Sequence, residues 1–270
     1  MNLRLFVQVL SIEVRKLMSY RTDFWLSSVV GFLAHFGVAY FLWRAIFRES
    51  DQTVIAGYSF DGMVLYYVMV ILVGKMVRGS DHMADISQDI YEGSLSRYIV
   101  YPTSYFQFKY AQNVGLMAPA LVQLAIFSVA YALVLPFPAE VHITPLSIGM
   151  TVISVSIANL LWYVHQLPVQ AVAFWADNVW SLVVMFRFVA NLVGGAALPL
   201  ALFPEWAQRL LVFLPFRYLF DFPVSTLTGR IGVDEWLLGV GVASTWIVML
   251  GLVTRLVWRR GMLSYTGVGI

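Results

Sequence analysis

The sequence predicts an all-α membrane protein built around six transmembrane helices. Composition is the first reason: 60% of the 270 residues are hydrophobic and 12% are charged, about half the charge content of a soluble domain. The second is a mean hydropathy of +0.77. The third is that six apolar segments reach the length of about 20 residues that a helix needs to cross the hydrocarbon core. No stretch between them approaches the roughly 50 residues of an independent soluble core, so residues 1–270 form a single membrane domain.

Taken in order, residues 1–20 place Leu3, Phe6, Val7, Leu10, Val14, Leu17 and Met18 at helical spacing, with Arg4, Gln8, Ser11 and Arg15 opposite. This pattern predicts a helix lying flat at the membrane surface, its basic face toward anionic lipid heads. No continuous apolar run with a small-residue cleavage site follows, so the segment is expected to be retained. The six spans are expected near 24–46, 59–78, 108–135, 145–167, 172–200 and 236–257. Trp25 and Trp43 bracket the first and Trp236 and Trp258 the last, separations of about 27 and 33 Å of helix that match interfacial aromatic belts. Six spans put both termini on one side. With the N-terminus inside, eleven Lys and Arg residues fall on the cytoplasmic side and five outside, which orients both termini to the cytoplasm. Between spans five and six, prolines at 199, 204, 215 and 223 interrupt an apolar stretch and predict short re-entrant helices on the external side. Irregular backbone at that depth is tolerated where protein buries it or water reaches it. No internal repeat of the inverted-carrier type is visible.

Residues 80–102, SDHMADISQDIYEGSLSRYIVYP, form a strongly polar segment with four carboxylates and one Arg between two apolar stretches. Met83, Ile86 and Ile90 share one helical face, Asp81, Asp85, Gln88, Asp89 and Glu92 cover the others, Ser80 or Asp81 can cap the start and Gly93 can end it. Pro102 restarts the chain toward the third span. The segment therefore reads as about three turns of amphipathic helix on the cytoplasmic side, a handle on which a soluble partner can act.

Several chemistries are excluded. A chain without cysteine has no disulfide, thiolate metal site or Cys nucleophile. A phosphate-binding loop ends in Gly-Lys-Ser or Gly-Lys-Thr, and here Gly74-Lys75 precedes Met76 within a span. His35, His82, His142 and His165 lack the one-turn spacing of a zinc site, and no Gly-x-Ser-x-Gly elbow occurs. A net charge of +2 with no basic patch interleaved with aromatics gives nucleic acid no surface. Neither a catalytic nor a metal-binding residue is assigned.

Ionisable residues inside spans are costly and mark functional positions. They single out His35, Asp177 and Arg187, with Asn113, Asn159 and Asn191 as neutral companions. Arg187 and Asn191 lie one helical turn apart and either line a substrate path with Asn159 or pair with a carboxylate such as Asp177 or one on a partner chain. His35 reads as a packing histidine. Phe174, Trp175, Trp180, Phe186 and Phe188 crowd the fifth span, facing lipid or an amphipathic substrate.

Tyr20-Arg21, GYSFDGMVLYY at 57–67, DISQDIYEGSLSRYIVYP at 85–102, FPEWAQRLLVFLPF at 203–216 and the terminal RRGMLSYTGVGI together resemble the permease subunits of ABC-2 type exporters, in the bacterial branch with a separate ATP-binding subunit. The resemblance implies that the N-terminal surface helix is the family's elbow helix and that the helix ending at Gly93 is its coupling helix, seated in a cleft of the ATPase through Asp85, Asp89, Glu92, Gly93, Ser96 and Arg97. It further implies a multi-pass protein of the bacterial inner membrane and a second permease, identical or related, beside it. This chain would bind no cofactor; ATP and Mg would be held by the partner ATPase. The cargo would be hydrophobic or amphipathic. An ATP-independent secondary carrier or a membrane assembly scaffold is the alternative.

Overall fold

The computed structural model describes residues 3–79, 85–115 and 117–266. Ser80, Asp81 and Met83 of the polar segment, and the last residues of the terminal motif, lie outside that description. Among the described residues the chain is helical: α1 Leu3–Ser19, α2 Arg21–Ser50, α3 Phe60–Arg78, α4 Asp85–Tyr91, α5 Leu95–Ile99, α6 Tyr105–Gly115, α7 Met117–Val134, α8 Pro145–Gln170, α9 Trp180–Val193, α10 Glu205–Leu211, α11 Asp221–Leu227 and α12 Val233–Ser264. Short 3-10 turns cover Ala171–Phe174, Leu200–Leu202 and Phe216–Tyr218.

Five helical stretches are long and apolar enough to cross a membrane: Arg21–Ser50, Phe60–Arg78, Tyr105–Val134, Pro145–Phe174 and Val233–Ser264. The fifth expected span, 172–200, takes a different form. Its regular part is the 14-residue α9, about 21 Å long and short of the roughly 30 Å core. The reason is local chemistry. The Asn178 Oδ1 accepts the Trp180 N–H at 2.8 Å, a side-chain bond that competes with helix, and Val179 N donates to the Tyr91 hydroxyl at 2.7 Å. At the other end Gly195 takes φ +90° and stops the helix. The 171–174 turn lies beside α4, whereas the Thr228 carbonyl accepts the His142 N–H at the opposite end. The prolines at 204, 215 and 223 give short helices there, as the sequence predicts.

The helix α3 is the central stave. In its apolar window 72% of residues are buried, against 11% for α2. Met63, Leu65, Val68 and Leu72 are all below 2% exposed and pack with Leu161 and Trp162 of α8 and Leu219 and Phe220. Apolar side chains gain little by leaving lipid for protein, so such packing rests on close van der Waals fit and small residues. Two glycines supply it. A Cβ on Gly239 of α12 would stand 2.3 Å from the Phe222 ring, and one on Gly261 would stand 2.1 Å from the Phe174 ring.

Both ends of α3 are capped by distant residues. Ser59 Oγ accepts from Gly62 N at 3.0 Å, and Glu140 Oε1 accepts from both Ser59 N at 3.1 Å and Ser59 Oγ at 2.5 Å. At the far end Asn159 Nδ2 donates to the carbonyls of Met76 and Val77 at 3.0 and 3.1 Å. The helix α8 starts in a capping box of Thr144 and Ser147 with Pro145 in the first turn. Pro168 lacks the N–H that would prolong it, and the chain tightens into the 3-10 turn.

Partial burial favours the neutral form of Glu140, but the two Ser59 donors and Arg230 outweigh it and hold the carboxyl below its ordinary value of 4.5. The stabilisation is therefore full above that value and is lost as pH falls through the lower one in the folded protein. Glu140→Gln is expected to lower the unfolding temperature at pH 7 and to flatten its decline in acid, measured by thermal unfolding in mild detergent. Gly261→Val, which drives a side chain into Phe174, is expected to destabilise by about 1–3 kcal/mol. Gly251→Val, where a Cβ meets nothing within 4 Å, should leave the same transition unchanged.

Candidate functional site

The short helix α4 is bolted in place at both ends. Gln170 Oε1 accepts from the N–H groups of Ile86 and Ser87 at 3.0 and 3.4 Å, satisfying two of the donors that any helix start leaves over. Tyr91 is tied to Val179 at the other end. Ile86 and Ile90 of α4 and Leu95 of α5 insert into a second apolar core with Leu167, Ala171, Phe174, Val179 and Val183. Trp258, Met262 and Tyr265 pack against this core from the end of α12. Gly93 at φ +69° turns the chain from α4 into α5. Tyr265 then clasps α5: Ser96 N donates to its hydroxyl at 3.2 Å, and Ser96 Oγ lies 3.1 Å from it.

The sequence-predicted contact residues divide into two groups. Asp89 faces inward and is 8% exposed. Its carboxylate accepts from Lys109 Nζ at 2.6 Å, Tyr105 OH at 2.7 Å and Ser94 Oγ at 2.8 Å, and the Lys109 ammonium also lies over the Tyr98 ring at 5.0 Å. Glu92, Ser96 and Arg97 face outward, with Glu92 braced by Gln88 Nε2 at 2.6 Å. Asp85, half-buried at the start of α4, lines an internal cavity. The sequence reading missed Lys109 and Gln170. For Asp89 the signal was available: it lies three residues after Ile86 and beside Ile90, which puts it on the apolar face.

The cavity, of about 260 Å³, lies between α1, α3, α4, α6, α8 and α9. Lys16, 64% exposed at its side chain, stands at the rim with Glu13, which accepts from Gln112 Nε2 at 2.9 Å. Gly115 lets α1 come this close, since a Cβ there would stand 2.8 Å from the Glu13 Cβ. At the inner end the Arg187 guanidinium stands 5.5 Å from the Trp162 ring centre and that of Arg78 stands 4.8 Å from the Phe220 ring centre. Asn191 joins the two arginines: its Oδ1 accepts from Arg78 Nη2 at 2.6 Å and its Nδ2 donates to the Arg187 carbonyl at 2.7 Å. The candidate pathway pair Arg187 and Asn191 is thus brought together with Arg78, a residue the sequence reading assigned only to the charge balance. Asn159 stands apart as the cap of α3. Asp177 is exposed in the bend before α9, and His35 bonds the Gly31 carbonyl of its own helix at 2.7 Å.

At the opposite end a second cavity of about 340 Å³ is lined by Tyr58, Arg217, Asp221, Arg230 and Glu235 among others. Arg217 bridges Glu235 at 2.7 Å and Asp221 at 3.8 Å. Tyr66 of α3 reaches Asp221 at 3.3 Å and the Gly195 carbonyl at 2.7 Å. Tyr66 and Phe220, both at most 2% exposed, fill the space between the two cavities.

A bundle of long apolar helices with a cavity toward each end has the form of a multi-pass membrane protein. The family model described as ABC-2 family transporter protein matches residues 33–269, and the chain belongs to that family, whose membrane proteins are permease components without catalytic activity of their own. No curated protein and no solved structure matches the chain.

Asp89→Ala is expected to lower stability by about 3 kcal/mol, the scale for removing one partner of a buried ion pair. Adding Lys109→Met should recover part of that loss, so that a double-mutant cycle read by thermal unfolding gives a coupling above about 1 kcal/mol.

Proposed function

We propose that this chain is the membrane-spanning permease subunit of an ATP-driven exporter in the bacterial cytoplasmic membrane. In this reading the α4 end and both termini face the cytoplasm, α1 is an elbow helix at the membrane surface, and α9 with the short elements after it completes the sixth crossing. Two permeases, identical or related, stand side by side in the lipid, and separate ATPase subunits that hold ATP and Mg dock beneath them. The cargo is a hydrophobic or amphipathic molecule.

One observation carries the proposal. The helix α4 is a polar knob whose outer face can meet a soluble partner and whose inner face is locked to α8, α9 and α12. Glu92, Ser96 and Arg97 present the contact surface, Gly93 sets the turn between its halves, and Asp85 and Asp89 shape the seat from within. Pressure on α4 passes through Gln170 and the 171–174 turn into α8, through Tyr91 and Val179 into α9, and through Phe174 and Gly261 into α12. Closure of the ATPases would press both knobs and reorient those helices together.

Affinity purification from mild-detergent membranes of the native host tests this. The expected result is co-purification of an ATPase whose hydrolysis rate falls at least about tenfold, equivalent to about 1.4 kcal/mol, in the double charge reversal Glu92→Lys, Arg97→Glu, with the permease itself still folded. Recovery of the permease with no ATPase, or a reversed variant that drives hydrolysis at the parental rate, sinks the proposal.

A further inference from the structure

We propose that the groove between α1 and the 101–108 segment holds one anionic phospholipid of the cytoplasmic leaflet, with its phosphate on Arg15 and one acyl chain lying along α1. The inference rests on the reading above that α1 lies at the cytoplasmic membrane surface, and adds to it a built site for a single lipid.

The apolar half is a groove of about 730 Å³. Leu5, Val9 and Ile12 of α1 form one wall, and Tyr101, Pro102 and Phe108 form the other. Positions 5, 9 and 12 follow one another at four- and three-residue spacing, so they make a continuous stripe on one face of the helix, about 10 Å long. The chain leading into the far wall is apolar as well: Ile99, Val100 and Tyr101 are all exposed. Consecutive exposed residues of this kind are unfavourable in water and suit the boundary between acyl chains and headgroups, where tyrosine is enriched.

The polar half follows from the direction of α1. Glu13 accepts from Gln112 at 2.9 Å, and a Cβ on Gly115 would stand 3.3 Å from the Leu10 carbonyl, so α1 and α6 run antiparallel. Arg15 therefore lies toward the start of α6 and the 101–103 turn, and Leu5 lies at the far end. Arg15 and Thr103 both line the groove, and none of its described lining residues is acidic. The exposed Arg15 guanidinium has no ion-pair or hydrogen-bond partner among the described residues. Glu13, the carboxylate two positions away, is held instead by Gln112 and Lys16. The Thr103 hydroxyl is buried without a hydrogen-bond partner, a state that costs free energy unless something outside the chain relieves it. A phosphodiester does so for both residues. It accepts a charge-assisted bond from the guanidinium and a bond from the hydroxyl. One end of the groove is thus cationic and the other hydrocarbon, the order in which a phospholipid of an anionic leaflet presents its parts.

Native mass spectrometry of the purified chain, released from mild detergent containing equimolar dioleoylphosphatidylglycerol and dioleoylphosphatidylcholine, tests the site. One phosphatidylglycerol is expected to stay bound, preferred over phosphatidylcholine by about tenfold, the effect of one charge-assisted hydrogen bond. Arg15→Gln should abolish the preference and Thr103→Val should weaken it. Arg21→Gln, close by at the start of α2 but outside the groove, should leave it unchanged. An excess of glycerophosphoglycerol, the headgroup without its chains, should not displace the lipid. Equal retention of the two lipids by the parent chain, or displacement by the headgroup alone, overturns the proposal without recourse to any variant. An effect of Arg21→Gln as large as that of Arg15→Gln also overturns it, because the attraction would then belong to the charge of the whole surface and leave only the surface helix standing. With neither ATPase nor ATP present, each of these failures is distinct from failure of the exporter reading.

Discussion

The satisfied ends of α3 are the constraint on which the rest of the molecule depends. A helix surrounded by protein at membrane depth has no water to take up its terminal donors and acceptors, and each one left unpaired costs several kcal/mol. Here the Gly62 N–H is met by Ser59 Oγ, itself held by Glu140, and two C-terminal carbonyls are met by Asn159 of α8. Those bonds fix α3 against α8 in register. Once it is fixed, α2, α7 and α11 have a buried face to pack against, and Tyr66 has a defined partner in Asp221.

The two apolar cores are joined through α8, α9 and α12, each of which contributes to both. The first core is centred on α3 and reaches α8 through Leu161 and Trp162; the second is centred on α4 and reaches α8 through Leu167. Trp162 and Leu167 are fewer than two turns apart, so a tilt of α8 moves both. Close-packed side chains transmit displacement because they have little free volume to absorb it. Gly261 against Phe174 carries the same logic into α12, where ring and backbone touch without an intervening side chain.

Much of this was legible in the chain. Apolar run length gave the long helices, the four prolines gave the broken stretch after α9, and Gly93 gave the end of α4. The depth of α3 was not legible, because Phe60–Arg78 is no more apolar than α12, and period alone cannot separate a helix surrounded by protein from one facing lipid. The fifth span was misjudged for a specific reason. Asn178 and Gly195 are inconspicuous in a hydropathy window, yet a single side-chain bond and a single positive φ decide where a helix starts and stops. The partners Lys109 and Gln170 lie 20 and 81 residues beyond Asp89 in sequence, and only the fold brings them to α4.

The placement of charge explains why a chain so poor in ionisable residues spends them as it does. At the α4 end, Lys109 is paired inside the protein with Asp89, and Arg78 and Arg187 lie against aromatic rings; at the opposite end, Arg217 is shared between two carboxylates and Arg230 stacks on Tyr58 at 3.5 Å. Buried ion pairs seldom raise stability above what apolar packing would give, so their worth lies in position. Lys109 lines the cavity at the α4 end, and Arg217, Asp221 and Glu235 line the one at the opposite end, while Tyr66, Trp162 and Phe220 are buried in the core. There α3 is tied to α8 through Asn159 and to α11 through Tyr66 and Asp221.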